Sequence, residues 1–411
     1  MNLVSLDSIL TFYRGITFKP DDKVDAGTDG SVVCLRTKNI QKELDERDLL
    51  AVPSSFVKRD ELYVQKGDIL ISSANSWDLV GKCVRVNKTR YKSTIGGFIS
   101  MLRPKADLVD PDYLFRFLSM DKTQDSIRHL GKQTTNISNL DRVRFLQLQI
   151  PLPPLETQKQ IAAVLEKSDQ LRKDCQQMEQ ELNRLTQSVF IDMFGDPVTN
   201  PKGWKKLPLK TIVKDFFGGK SLVAADDQFS KYRHKVLKIS AVTSGTFKPE
   251  EVKPLPNDYE PPEDHFVKIN DLLFSRANTT DLVGATTMVF DKHDGLVLPD
   301  KLWRFIWNDN NDISPVFIWQ LLSEKGMRKE ISKLSSGSGG SMKNISKGKL
   351  KTLPVILPPL NLQLKFERIY LKLRDETERN KQISLFTQDA FNALMQKAFN
   401  GELNLDNAKT Q

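Results

Sequence analysis

The apolar positions of the first 150 residues fall into short runs that are interrupted by turn residues. Val32–Leu35, Ile69–Ile71 and Phe98–Leu102 are rich in β-branched and aromatic side chains and are bounded by Gly, Asp and Lys, which is typical of short strands. From Pro111 to His129 the apolar spacing becomes helical and predicts one helix. This alternation predicts an α+β unit with a curled, mostly antiparallel sheet.

The second half of the chain follows the same plan. Strands are predicted near Val236–Ile239, Leu272–Phe274 and Trp303–Trp307, and one helix is predicted near Pro315–Leu334. The pattern predicts which segments are strands but not the order in which they pair.

A long helix is predicted after each of these two units. Following Pro153 and Pro154, mostly apolar side chains recur at alternating spacings of three and four from Ile161 to Val189, which is the heptad pattern of a left-handed coiled coil, and Gly195 follows this pattern. The second helix begins after Pro359 and ends before Gly401, and its pattern has one interruption. The predicted coiled-coil positions are Ile161, Val164, Leu171, Met178, Leu182, Leu185, Phe366, Ile369, Leu373, Ile383 and Leu394.

The two halves also repeat each other in sequence. The matched segments, first copy before second, are Gly67–Asn75 and Asn270–Asn278, Asp78–Gly81 and Asp281–Gly284, Asn136–Ser138 and Asn344–Ser346, and Leu152–Leu155 and Leu357–Leu360. Their separation grows from 205 residues at the Pro-Pro pairs to 209 at Phe190 and Phe399, which indicates a four-residue insertion in the second helix.

This repeat predicts an internal pseudo-twofold molecule of the α+β class, with two tandem globular domains separated by two long helices that form an antiparallel coiled coil. The alternative is that each helix packs only on its own globular domain. The predicted domains are 1–150 and 196–355 for the globular parts, 151–195 and 356–403 for the helical regions, and 404–411 for a tail.

Composition narrows the class of protein. Among 411 residues, 39% are hydrophobic and 27% are charged, as in water-soluble globular proteins. No apolar run approaches the roughly 18 residues of a membrane span, and the N-terminus lacks the pattern of a secretory signal. Cys34, Cys83 and Cys175 are widely spaced and form no CxxC pair, so no metal site is predicted. We therefore expect a cytoplasmic protein without a metal or cofactor.

The distribution of charge is more informative than the net charge of +9. Leu79–Ala106 and Ile331–Phe366 contain no acidic residue but many lysines and arginines. Solvated surface charge is the ordinary interpretation of any single lysine. Two acid-free basic stretches in corresponding halves favour contact with phosphate.

Catalytic motifs are incomplete. Gly219–Ser221 resembles the end of a phosphate-binding loop, but Lys214 replaces the glycine that the loop requires. Glu251–Lys253 matches the ExK of metal-dependent nucleases without a Pro-Asp upstream, and Gly337–Ser341 is not a GxSxG nucleophile elbow. The sequence therefore predicts recognition and scaffolding and not catalysis.

Taken in order, the duplicated strand motif, the Asn-Ile-Ser turns and the Leu-Pro-Pro-Leu-x-x-Gln helix starts resemble the specificity subunit of Type I restriction–modification enzymes. The resemblance covers essentially the whole chain. It implies a prokaryotic, non-catalytic DNA-recognition subunit in which each globular domain is a target recognition domain that reads one half of a split DNA sequence. The helices would set the spacer and dock two methyltransferase subunits, and restriction subunits would join the full complex.

Candidate site residues follow from the repeat. Residues shared by both copies are expected to hold the fold, and residues that differ after the shared strand are expected to read DNA. Arg276 could pair with guanine and Asn278 with adenine, or either could satisfy a buried turn. The DNA-binding candidates are Lys38, Asn39, Ser73, Asn75, Ser76, Lys82, Arg85, Lys132, Gln133, Thr134, Arg276, Asn278, Thr279, Lys343, Asn344 and Lys347; the subunit-binding candidates are Pro153, Pro154, Leu155, Gln158, Pro358, Pro359, Leu360 and Gln363.

Two other functions compete with this interpretation. One is a fused restriction–methylation enzyme, which the missing catalytic motifs disfavour. The other is a coiled-coil adaptor that does not touch DNA, which a strong salt dependence of DNA binding would exclude. The target bases and the spacer length do not follow from the sequence.

Overall fold

The computed structural model describes residues 2–133, 137–221, 233–309, 313–337 and 342–405, with only the backbone described at Lys132 and Gln133. The chain divides into two units. Unit 1 comprises Met1–Gln177 and Lys381–Gln411, and unit 2 comprises Met178–Asn380. Each unit therefore combines one globular domain with parts of both long helices.

The globular part of unit 1 is built from short strands and short helices. Its strands are β1 (Leu3–Ser5), β2 (Leu10–Arg14), β3 (Ser31–Leu35), β4 (Ala51–Pro53), β5 (Ile69–Ser72), β6 (Ala74–Asn75), β7 (Cys83–Arg85), β8 (Ser93–Ile95), β9 (Ile99–Pro104), β10 (Lys132–Gln133), β11 (Ser138–Asn139) and β12 (Gln149–Pro151). Its helices are α1 (Leu6–Ile9), α2 (Pro111–Ser119), α3 (Asp121–Leu130) and α4 (Arg142–Leu146), and the long helix α5 (Leu155–Phe194) follows.

The globular part of unit 2 has the corresponding elements. Its strands are β13 (Lys206–Pro208), β14 (Val213–Gly218), β15 (Lys235–Leu237), β16 (Val252–Pro254), β17 (Leu272–Ser275), β18 (Ala277–Asn278), β19 (Thr286–Met288), β20 (Leu296–Val297), β21 (Leu302–Trp307), β22 (Lys343–Asn344) and β23 (Pro354–Ile356). Its helices are α6 (Ser240–Thr243), α7 (Pro315–Ser323), α8 (Lys325–Lys333) and α9 (Lys347–Lys351), and the second long helix, α10 (Leu360–Asn400), follows.

The sheets of the two units have the same topology, which confirms the predicted α+β class. Unit 1 contains an antiparallel sheet of order β2-β9-β5-β7 and unit 2 one of order β14-β21-β17-β19. A second sheet, β4-β3-β8 or β16-β15-β20, contains the one parallel pairing in each unit's described named strands. Two-stranded pairings β1-β12 and β13-β23 join the start of each domain to its end.

The first three residues of β5 are all apolar, and both faces of the strand are covered. Ile69 and Ile71 pack into the core with the helices, whereas Leu70 points into a second core between the two sheets. The alternation of side chains along a strand produces this division. Leu272 and Leu273 of β17 divide between two cores in the same way.

A buried ion pair explains why an aspartate begins this strand motif in both copies. Asp68 lies 2.7 Å from Arg103, and Asp271 lies 3.2 Å from Arg304. Each aspartate also accepts a backbone N–H three residues upstream, and each arginine donates to loop carbonyls. The motif therefore fixes the turn that leads into the central strand.

The prediction of a single helix near Pro111 and another near Pro315 is wrong, because each segment forms two helices. Met120 and Glu324 separate them, with ψ of 138° and 139° in the extended region. Just before each break, the Ser119 and Ser323 hydroxyls donate to carbonyls one turn back, which competes with helix continuation. Periodicity alone does not reveal such a one-residue break.

Gly195 and Gly401 end the two long helices with φ of 75° and 81°, as the sequence predicts. In unit 1 the first half of α5 packs on the end of α10. Ile161 shares a core cluster with Phe399, and Arg172 Nη1 donates to Gln388 Oε1 at 3.0 Å. Residue numbers rise along α5 while they fall along α10, so the two helices are antiparallel here.

In unit 2 the end of α5 packs on the start of α10. The Phe366 ring lies 5.4 Å from Phe190 and 5.7 Å from Phe194. Both helices also contact the globular domain of the same unit, since Phe317 of α7 stacks on Phe190. Helix pairing and packing on the globular domain thus occur together, and the two alternatives are not exclusive.

The packing differs from the predicted heptad positions. Ile161 and Phe366 are buried, and Val164, Leu182, Ile369, Leu373 and Leu394 are partly buried. Leu171, Met178, Leu185 and Ile383, by contrast, are 46 to 53% exposed. The buried stripe of α5 in unit 1 passes instead through Leu165, Asp169 and Cys175, because α5 must face its globular domain as well as α10. Within the part of the chain that is described, no helix is long and apolar enough to cross a membrane.

Candidate nucleic-acid interface

Several DNA-binding candidates of unit 1 come together at the end of strand β5. Asn75 in β6 pairs with Ser138 in β11, which in turn pairs with Gln133 in β10. The backbone N–H and C=O of Ser73 are bonded to Phe98 and to Leu140. This arrangement, which we call edge 1, consists of residues 73–76 with β10 and β11. Thr134 lies outside the described residues.

The corresponding edge 2 consists of residues 276–279 with β22. Asn278 pairs with Lys343, and Ala277 pairs with Asn344. The backbone N–H of Arg276 donates to Lys301 O at 3.1 Å, and its C=O accepts from Ile345 N at 2.9 Å. Both edges are therefore held by equivalent backbone bonds.

These bonds correct one alignment of the repeat. Leu140 N donates to Ser73 O as Ile345 N donates to Arg276 O, and Asp141 and Ser346 each cap the next short helix. The segment that matches Asn344–Ser346 is thus Asn139–Asp141 and not Asn136–Ser138. The tripeptide Asn-Ile-Ser recurs by chance and was misleading. The backbone arrangement requires a side chain that caps the following short helix, and it does not require this tripeptide. Asn136 lies outside the described residues.

The asparagines of the repeat serve their own turns. Asn75 Oδ1 accepts from Ser76 N at 2.9 Å, and its Nδ2 donates to Ser72 Oγ at 3.2 Å. Asn278 Oδ1 accepts from Thr279 N at 2.8 Å. These side-chain oxygens accept hydrogen bonds within their own turns. The neighbouring side chains of each edge are the ones that can differ between the two units.

A loop near edge 1 brings two lysines together through a glutamine. Gln41 donates to Lys38 O and accepts from Lys82 Nζ, each at 2.8 Å. The Lys38 ammonium is paired with Asp48. Asn39 is buried and bonds three backbone groups of its loop, so it positions this loop and has no surface to offer a ligand.

Some cations of the two acid-free basic stretches lie next to acidic residues from other segments of the chain. Arg85 lies 2.8 Å from Asp112, and Lys347 lies 3.1 Å from Asp215. The ammonium groups of Lys82 and Lys343, by contrast, donate hydrogen bonds to neutral groups. Lys82 donates to Gln41, and Lys343 donates to Gly337 O at 2.7 Å. Tertiary pairing therefore divides the predicted phosphate ligands into compensated and uncompensated cations.

Arg276 is anchored at edge 2. Its Nε donates to Asp300 O at 2.8 Å, and its guanidinium lies 5.7 Å from the Trp303 ring. Asp300 Oδ2 is 3.6 Å from Nη2. The side chain is held by a turn, as one of the two sequence interpretations expects, and it is held at the position where Ser73 stands in unit 1.

The two glutamines among the predicted subunit-binding residues hold the starts of the long helices. Gln158 Oε1 accepts from Asp110 N, and Gln363 Oε1 accepts from Ser314 N, at 2.9 and 3.1 Å. Their amide nitrogens donate to Pro153 O and Pro358 O. Both glutamines are buried. Because Asp110 and Ser314 are the N-cap residues of α2 and α7, Gln158 ties α5 to the start of α2 and Gln363 ties α10 to the start of α7. Pro154 and Pro359 are exposed, Pro153, Leu155 and Leu360 are partly buried, and Pro358 is buried.

Sequence reasoning missed the exposure of Phe98 at edge 1 and of several apolar residues of the long helices. Phe98 is assigned to a strand by its pattern but lies just before β9 with an exposed ring. The preceding Gly96 and Gly97 were the available signal for a turn at this place. Among the described residues, no group of three His, Cys, Asp or Glu side chains is arranged to hold a metal ion.

Comparison with known proteins identifies similar sequences. The family model of the Type I restriction modification DNA specificity domain matches residues 2–187. The chain is 26% identical to the EcoKI specificity subunit of Escherichia coli K12, over 98% of this chain and 89% of that protein. It is 24% identical to the StySPI specificity subunit of Salmonella potsdam, over 97% and 88%.

Solved structures share the fold. A chain from a structural study of assembly and conformational transition in a type I R-M system has a TM-score of 0.56 at 15% identity, with 98% of both chains covered. The S subunit of a Type I restriction–modification system from M. genitalium has a TM-score of 0.55 at 14% identity, over 97% of this chain and 96% of that one.

Proposed function

We propose that this chain is a specificity subunit of a Type I restriction–modification enzyme and that each of its two units reads one half of a split DNA sequence. Edge 1 would read one half and edge 2 the other. The observation that carries the proposal is the pair of edges itself. Equivalent backbone bonds hold both edges, while the side chains presented there differ, as Ser73 and Arg276 do.

Such an arrangement suits two readers with different targets. A shared backbone frame presents side chains at a constant place, and a change of side chain changes the bases that are preferred. Asp300 holds Arg276 through Nε and lies 3.6 Å from Nη2, and we expect the guanidinium positioned in this way to contact guanine in the second half-site. Asn75 and Asn278 are expected to maintain the edges and not to select bases.

Uncompensated lysines would position the duplex. Lys82 near edge 1 and Lys343 at edge 2 have neutral hydrogen-bond partners, so a phosphate would meet an un-neutralised charge. Arg85 and Lys347 must first leave Asp112 and Asp215. We expect the first pair to contribute more to binding than the second.

The two long helices would set the spacer between half-sites. Helices α5 and α10 contain 40 and 41 residues, which corresponds to about 60 Å at 1.5 Å per residue. One turn of DNA is roughly 34–36 Å. A stiff helix pair of that scale suits two readers that contact separate segments of one duplex.

Exposed apolar side chains on the helices support a role in docking methyltransferase subunits. Leu171 and Phe386 are exposed in unit 1, and Met178 and Leu185 are exposed in unit 2. Large apolar residues on a charged helix commonly mark a protein interface. We propose that two methyltransferase subunits dock on the helices, that restriction subunits join this core, and that the chain itself performs no chemistry.

Sequencing of methylated bases tests the function directly. The full chain is expressed with its methyltransferase subunit in a host without other modification, and the methylated positions of the genome are read. A single two-part motif with a fixed unspecified spacer is expected. Methylation of a continuous, unsplit motif would refute the two-reader proposal, and methyl transfer by the isolated chain would refute the non-catalytic role.

A further inference from the structure

Phe98 exposes 65% of its surface next to edge 1. Leaving a phenylalanine side chain in water is unfavourable, since burying its apolar surface stabilises the protein. Most aromatic side chains of unit 1 are placed in its cores, as Tyr113, Phe117 and Phe145 are. The exposed ring of Phe98 therefore offers an apolar contact surface beside the proposed DNA surface.

The ring is presented by a rigid turn. Ile99 N donates to Gly96 O at 2.8 Å, which closes the turn that contains Phe98, and Gly96 N donates to Leu35 O at 2.9 Å. The turn also packs closely against Gly15, the residue that follows β2, because a Cβ on Gly15 would lie 2.1 Å from Gly96 O. A rigid turn makes binding through the ring cost little conformational entropy.

The same turn is part of edge 1. Phe98 O accepts from Ser73 N at 2.9 Å and from Ala74 N at 3.3 Å. These bonds connect Phe98 directly to the segment that leads into β6 and to Asn75. The aromatic ring and the polar residues of edge 1 thus belong to one hydrogen-bonded structure.

The residue at this position differs between the units. Arg276 N donates to Lys301 O as Ser73 N donates to Phe98 O, so Lys301 stands in edge 2 where Phe98 stands in edge 1. The backbone frame is the same, but one side chain is apolar and the other is cationic. Because the backbone is held in the same way while the side chains differ in chemistry, the two positions are expected to contact different groups of a ligand.

We propose that Phe98 is a specificity-determining residue of unit 1 and that its ring contacts the 5-methyl group of a thymine in the major groove. The ring offers no hydrogen bond, and the thymine methyl is the apolar group among the base edges of the major groove. The inference rests on the proposed function, because it assumes that edge 1 reads DNA.

The test uses the full chain in complex with its methyltransferase subunit. The half-site of unit 1 is first identified by its change when residues 1–150 are exchanged. Binding is then measured for duplexes in which each thymine of that half-site is replaced in turn by uracil, which lacks only the methyl group. The wild type is expected to bind one uracil duplex about four-fold more weakly, the factor that one buried methyl group contributes.

Phe98→Ala is expected to bind the thymine and uracil duplexes alike at that position and to retain its response to the other bases. Leu3→Ala removes an exposed apolar side chain elsewhere in unit 1 and should keep the discrimination. The inference is overturned if the half-site of unit 1 contains no thymine in either strand. It is also overturned if no uracil duplex weakens wild-type binding, or if Phe98→Ala weakens thymine and uracil duplexes equally. Failure of the wild type to recognise a split sequence would instead refute the proposed function.

Discussion

Single residues differ in whether their charge is already neutralised within the chain. Lys82 and Arg85 are three residues apart in the same acid-free stretch, yet Lys82 bonds the neutral Gln41 and Arg85 pairs with Asp112. A cation that is already paired gains less from a phosphate than one that is not. These two residues therefore form a matched comparison.

Lys82→Ala should weaken binding to all DNA sequences alike and lower the slope of log affinity against log salt by about one. Arg85→Ala should lower this slope by clearly less, because its charge is compensated by Asp112. Salt titrations of the methyltransferase complex on cognate and unrelated duplexes measure both. Equal slopes for the two variants, or a change of preferred sequence without a change of slope, would contradict the assignment.

A buried carboxyl at the break between α7 and α8 makes stability depend on pH. Glu324 is 5% exposed, and its carboxylate accepts hydrogen bonds from Gln320 and Gln187. Burial raises the pKa of Glu324; these hydrogen bonds oppose the shift and nearby Asp196 adds to it. Since the folded pKa lies above the unfolded one, the contribution to stability is full below the unfolded pKa and is lost as pH rises through the folded pKa.

Glu324→Gln should therefore raise the free energy of unfolding at neutral pH, by on the order of 1 kcal/mol, and the gain should disappear in acid, below about pH 4. Thermal unfolding between pH 4 and 8 measures the effect. Glu330→Gln in α8 is the control, because Glu330 is partly exposed and pairs with Lys333 on the surface; its effect should stay within about 0.5 kcal/mol. A gain that does not grow with pH would contradict this account.

Among the elements, the long helices combine a stabilising face with an exposed apolar one. In unit 2, Phe190 and Phe194 of α5 lie in the core. Met178 and Leu185, which are 48% and 46% exposed, are seven residues apart and share another face of the helix. The sequence pattern that predicts coiled-coil packing thus also contains the residues proposed to dock a partner.

Met178→Lys combined with Leu185→Lys should reduce recovery of the methyltransferase by at least about ten-fold, since loss of hot-spot side chains costs more than 1 kcal/mol each. The substituted positions are exposed and lysine is a good helix former, so the fold should persist. Asn183→Lys adds a charge at a different, exposed position of the same helix segment and serves as the control. Co-purification with measured stoichiometry and thermal unfolding distinguish loss of docking from loss of folding. Full recovery of two methyltransferases per chain would exclude this surface.

On the scale of the whole molecule, the repeat predicts that the two readers are separable. Replacing residues 196–355 with the matching domain of a related subunit should change one half of the methylated motif and leave the other half and the spacer unchanged. The reason is that the described sheets of each unit pair only with strands of the same unit. Methylome sequencing measures the result, with the parent chain as control. A simultaneous change in both halves would contradict independent reading.

Much of the architecture could be predicted from the sequence because it depends on local periodicity. The central strands, the ends of the long helices at Gly195 and Gly401, and the duplication itself follow from patterns of neighbouring residues. The family resemblance, carried by the order and spacing of the duplicated motifs, is confirmed by the comparisons. Strand order could not be predicted, because pairing between β5, β7 and β9 depends on contacts that have no signature within one segment.

The sequence by itself determined the class of fold, the repeat, the central strands and the ends of the long helices, since these express backbone preferences and the burial of one face. Only the tertiary structure decided which candidate side chains are available. Asp112 and Asp215 reach Arg85 and Lys347 from distant segments, and Gln158 is buried against the cap of α2. The availability of a charge or an apolar surface is set by what the fold places beside it, and that information lies in contacts between residues that are far apart in the chain.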